Sequence, residues 1–127
     1  KDALIAQFTS MGNQQLSVYA ENIARQLVTD SIKAKTIAEW QVQSDRVTLA
    51  SAFYEMMTTD IRQDLAKITI PVLVLGSKYE TLEKSQQILS EQYKYVKKLT
   101  LRNTNSKHFI MYDQPIWFFK ELDTFLK

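Results

Sequence analysis

The chain has 127 residues, 45% of them hydrophobic and 24% charged, which suits one folded domain of ordinary size and argues against disorder. Its net charge of +2 is too small to point to nucleic acid or an anionic membrane, and no apolar run reaches the length of a membrane span. With no cysteine there is no disulfide, thiolate ligand or cysteine nucleophile, and with only Gly12 and Gly76 there is no Gly-x-Gly-x-x-Gly turn, P-loop or Gly-x-Ser-x-Gly elbow.

Residues 1–67 read as helices. Leu4, Phe8 and Met11 share one face of a first short helix, which Gly12-Asn13 is expected to stop. Leu16, Tyr19, Ala20, Ile23, Leu27 and Val28 form the apolar stripe of a second helix. Asp30 or Ser31 is suited to cap a third, with Ile32, Ile37 and Trp40 facing inward. Ser44 or Asp45 is suited to cap a fourth, with Val47, Ala50, Phe53, Tyr54 and Met57 as its apolar positions. A short helix is predicted from Ile61 to Lys67.

The character changes at residues 68–127. Ile70-Pro71-Val72-Leu73-Val74-Leu75-Gly76 is a continuous apolar run, and unbroken apolar character predicts a parallel strand buried on both faces. Thr81 can cap a helix to about Tyr93, carrying Leu82, Ile88, Leu89 and Tyr93 inward. A second strand is predicted from Lys97 to Arg102, followed by a polar loop from Asn103 to Lys107. A last helix, Gln114 to Leu126, is expected to pack Trp117, Leu122, Phe125 and Leu126. Strand, helix and strand at this spacing predict a right-handed parallel crossover. Two strands make a poor sheet, so the open edge of the apolar strand calls for a partner: a missing N-terminal part or a second copy.

The only histidine, His108, stands on the loop after the second predicted strand, in Ser106-Lys107-His108-Phe109-Ile110-Met111-Tyr112-Asp113-Gln114-Pro115. An imidazole so placed has the chemistry of a general base. Asp60 and Asp64 lie one helical turn apart, but with no neighbouring His or Cys they read as a solvated face, not a metal site. Met11, Phe53, Tyr54, Met56 and Met57 suit either a helical core or the lining of an apolar pocket. Lys94, Lys97, Lys98, Arg102 and Lys107 read as a solvated rim.

The segments Asp64–Gly76 and His108–Pro115, in this order and joined by a helix and a strand, resemble the C-terminal part of the α/β-hydrolases, over about residues 61–127. The preceding helices stand where that family inserts its helical cap, so the resemblance implies a cap-like segment at 1–67 and a β-α-β-α part of a hydrolase core at 68–127. It implies an esterase-like enzyme that acts on a small acyl substrate without cofactor or metal. His108 would be its catalytic base, and the nucleophile and oxyanion-hole amides would lie upstream of Lys1. Family members often place an aspartate three residues after the strand's glycine; here that residue is Tyr79, with Glu80 next. Others take the acid from the preceding strand, which would also lie upstream. The chain, which opens Lys1-Asp2-Ala3, is accordingly expected to be a fragment that is inert alone. A reducing, cytoplasmic setting fits the absence of cysteine. The alternative is a hydrolase-like module that has lost catalysis and binds a ligand or partner. A third reading, a helical interaction domain fused to an unrelated β-α-β unit, predicts His108 buried or remote from any cleft.

Overall fold

A computed structural model describes residues 1–127 and shows a mixed α/β chain, mostly helical, with one two-stranded parallel sheet. It divides into two compact units, Lys1–Thr59 and Asp60–Lys127, so the turn before the first strand belongs with the sheet.

The first unit holds four helices: α1 (Asp2–Ser10), α2 (Asn13–Leu27), α3 (Ser31–Gln43) and α4 (Arg46–Thr58). Their boundaries follow from side chains that satisfy the free N–H groups of a first turn. Asp30 Oδ1 accepts from the backbone N–H groups of Ile32 (2.7 Å) and Lys33 (2.9 Å). Asp45 Oδ1 accepts from the N–H of Thr48 (2.8 Å) and from its hydroxyl (2.8 Å). Gly12 begins α2 and does not end α1; its N–H donates to Gln15 Oε1, the residue that reaches back from the first turn. Arg46 adds a tie to this junction, donating to the Met11 carbonyl and, at 2.6 Å, to Asn13 Oδ1.

Helix α2 packs on α3, and α1 on α4. The buried positions of α2 are Leu16, Ala20 and Ala24, and those of α3 are Ala34, Ile37 and Ala38. Small side chains on both faces let the two backbones come close, and the bulky neighbours expected inside are turned out. Trp40, Ile32, Val47 and Met57 are all exposed, which corrects the expected core. Phe8, Leu16 and Ala50 form a buried cluster, flanked by Leu4, Ile5, Met11, Val42, Leu49 and Phe53.

The second unit opens with a 3-10 turn, Arg62–Lys67, and continues through β1 (Val72–Ser77), α5 (Leu82–Gln92), β2 (Leu99–Thr104), α6 (Ile110–Asp113) and α7 (Pro115–Leu126). The strands pair in parallel from Val72 opposite Leu99 to Ser77 opposite Thr104. The second strand thus runs two residues later than the predicted Lys97–Arg102. Asn103 continues the ladder beside Gly76 because its side-chain amide donates to the Leu82 carbonyl at 2.7 Å, so its polarity is satisfied there. The predicted burial of both faces of β1 is also corrected: Val72 to Leu75 are half-buried and only Gly76 is buried. Helix α5 packs against both strands. The last helix begins at Pro115, and Gln114 (φ −135°, ψ 58°) breaks the chain between α6 and α7. The ring of a following proline drives its predecessor out of the helical region, and Pro115 itself, with no N–H to satisfy, suits a first helical turn. Leu126, expected inside, is exposed.

Candidate functional site

Parallel strands end together, and the loops that follow them meet at the carboxyl end of the sheet. The loop after β1 comes down through Lys78 to Thr81, and the loop after β2 through Asn105 to Phe109. They are joined directly, since the Lys78 N–H donates to the Ser106 carbonyl at 3.2 Å. Between them and α5 lies a cleft of about 540 Å³ lined by Leu75, Gly76, Ser77, Tyr79, Ser85, Ile88, Leu89, His108 and Ile110. Its volume falls in the range of small-molecule sites, and its lining is mainly aliphatic with a few polar groups.

His108 therefore stands on the wall of a cleft shared with the end of β1, where the crossover places it, and it is exposed. Its backbone is held by a tight local turn. The Ile110 N–H donates to the His108 carbonyl at 3.0 Å, and Phe109 between them (φ −84°, ψ 74°) has the geometry of an inverse γ-turn. The Phe109 ring meets the imidazole edge-on, with centroids 5.3 Å apart, and lies against Tyr112 at 5.9 Å. Directly before the histidine, the Lys107 N–H donates to Asp113 Oδ2 at 2.9 Å.

The facing loop is organised by Ser85, a polar side chain only 2% exposed. Its hydroxyl accepts the Tyr79 N–H at 2.6 Å and donates to the Thr81 carbonyl at 2.9 Å. Tyr79 and Thr81 form an isolated bridge around Glu80, whose φ of 57° lies in the left-handed region. Thr81 also caps α5, its hydroxyl accepting from the Lys84 N–H at 3.1 Å. Glu80 is exposed and is not among the residues lining the cleft; Tyr79, 60% exposed, is.

The remaining candidates fall elsewhere. Asp60 accepts from the Arg62 guanidinium at 2.5 Å and from the Arg62 N–H at 3.0 Å, and these bonds hold its carboxyl down at about 2. Asp64 pairs with Lys67 at 2.5 Å. Both pairs are exposed, and such pairs contribute little to stability. Met11 and Phe53 belong to the four-helix cluster, whereas Met56 and Met57 are exposed. Lys94 pairs with Glu91 at 2.5 Å and lies over the Tyr95 ring, while Arg102 reaches Glu121 of α7 at 3.8 Å.

Sequence reasoning singled out His108 but missed the residues that hold its surroundings: Ser85, Asp113 and the close contact at Gly76. Ser85 carried a signal in retrospect, since a small hydroxyl four residues after a capping threonine can bond back to that residue's carbonyl. No family model matches the chain, and no curated protein or solved structure matches it either.

Proposed function

We propose that this chain is the C-terminal portion of a serine-type α/β-hydrolase and supplies the general base, His108, for hydrolysis of an ester or similar small acyl compound. The observation that carries the reading is the shared cleft: His108 and the end of β1 face one space at the carboxyl end of a parallel β-α-β unit. In this reading the aliphatic wall of Leu75, Ile88, Leu89 and Ile110 receives the apolar part of the substrate. A serine outside this chain attacks the carbonyl while His108 takes its proton. His108 then returns the proton to the leaving alcohol, and water repeats the sequence to release the acid. The helices of 1–67 take the place of the cap. Glu80 is not among the residues lining the cleft, which supports an orienting acid from the preceding strand, outside this chain.

One observation favours a second reading, a hydrolase-like module that binds a ligand or partner without catalysis. Tyr79 lines the cleft where the family's acid commonly stands, and no carboxylate lines it at all. Rates of p-nitrophenyl ester hydrolysis separate the two. The 127-residue chain is expected to be inert, and the longer parent protein active, with that activity lost on His108→Ala while circular dichroism shows the fold retained. A parent whose rate is unchanged by His108→Ala would rule out the catalytic reading, and His108-dependent turnover by the chain alone would rule out a nucleophile supplied from outside it.

A further inference from the structure

We infer that Asp113 is the positioning residue for His108: its carboxylate latches the loop that presents the imidazole to the cleft. The inference rests on the reading of His108 as the working group of that cleft. Three observations support it. First, the bond from the Lys107 N–H to Asp113 Oδ2 joins the residue immediately before the histidine to one five positions after it. It closes a ring around Lys107 to Asp113, with His108 inside, and the γ-turn bond from Ile110 to His108 fixes the backbone within that ring. Second, Lys107 is exposed, so packing of its side chain in a core does not fix the loop at this point. The bond to Asp113 therefore orders a stretch of the loop that core packing does not hold. Third, Asp113 stands between the end of α6 and the start of α7, a helix junction from which its carboxylate reaches back to the histidine loop.

The other ties on the loop leave this role open to Asp113. The Lys78 N–H holds the carbonyl of Ser106, and the Gln114 side chain donates to the Asn105 carbonyl at 3.3 Å. Both anchor the loop before Lys107, and the Ser106 hydroxyl donates to the Lys107 carbonyl at 2.9 Å, which leaves the Lys107 N–H to Asp113. Between there and Ile110, buried at the start of α6, the backbone of Lys107 is gripped by Asp113.

Amide hydrogen exchange and ¹⁵N relaxation on the 127-residue chain test the latch. In Asp113→Ala, exchange at Lys107 should rise about tenfold or more, the loss expected for a hydrogen bond to a charged acceptor. Relaxation at Lys107 and His108 should report a released loop, with signals from β1 and α5 unmoved. Asp113→Asn keeps an acceptor at nearly the same reach and should restore most of the protection. In the longer parent, Asp113→Ala should lower kcat with little change in KM, and Asn should recover it. Unchanged exchange at Lys107 in the alanine variant would overturn the latch. A released loop with unchanged kcat would overturn its role in positioning. A parent with no activity in any form would instead remove the hydrolase reading alone, and the exchange data would still decide for or against the latch.

Discussion

A β-carbon on Gly76 would sit 2.2 Å from Leu89 Cδ1 and 3.5 Å from Asn103 Cβ. The glycine thus matters for space and not for backbone freedom, because it lets α5 lie close against the end of β1. Leu89 lines the cleft, so a methyl group at Gly76 must push that side chain into it. Gly76→Ala is expected to cost about 1–3 kcal/mol in urea denaturation, the usual range for overpacking. Most of that cost should vanish in a Leu89→Ala background, because the clash is with one flexible side chain. Equal costs in the two backgrounds would place the strain elsewhere. At this scale the sequence was readable where a residue acts through local chemistry. Asp30, Asp45 and Thr81 were legible as caps because a cap needs only a short polar side chain at the right offset. Asp113 was not, because its partner lies back across a turn whose shape depends on Phe109.

Among the elements, the helices of the first unit and the order strand, helix, strand, helix of the second follow from apolar periodicity and turn residues. Which helix face is buried did not. The α2–α3 contact is built on alanines, and hydrophobicity alone ranks Trp40 and Ile32 above Ala34 and Ala38. Alanine wins because close helix packing rewards small volume, a preference set by the partner helix and invisible from one helix alone. The ends of β2 and the break at Gln114 depend likewise on a neighbour, the ladder in one case and the ring of Pro115 in the other. The cap of α3 offers a test. Asp30 satisfies two otherwise free N–H groups, so Asp30→Ala should lower stability by about 1 kcal/mol in denaturant unfolding, and Asp30→Ser should recover much of it. No loss in the alanine variant would mean that water replaces the cap without cost.

For the whole molecule, the open question is the second edge of β1. The strand pairs with β2 alone. The Val72 N–H donates toward β2, to the Lys98 carbonyl, and successive peptide groups alternate in direction. Leu73, Leu75 and Ser77 therefore aim their backbone groups at the other edge, which no strand occupies. An apolar edge of this kind is a template for another chain. Light scattering should find the chain self-associating at micromolar concentration, and Leu73→Pro, which deletes one outward donor and spares the bonds to β2, should weaken that association. A stable monomer would show that the edge needs no partner.

The claim on which the rest depends is that the strand end, α5 and the histidine loop form one ligand-binding cleft. It is tested most directly by titrating the ¹⁵N-labelled chain with a small uncharged aliphatic ester and mapping the amide shifts. Saturable changes are expected at Leu75, Gly76, Tyr79, His108 and Ile110, and they should disappear together when Ile88→Trp fills the space between them. Shifts confined to another surface, such as the polar groove of Glu21, Lys35 and Glu39 between α2 and α3, or no shifts at millimolar ester, would contradict it.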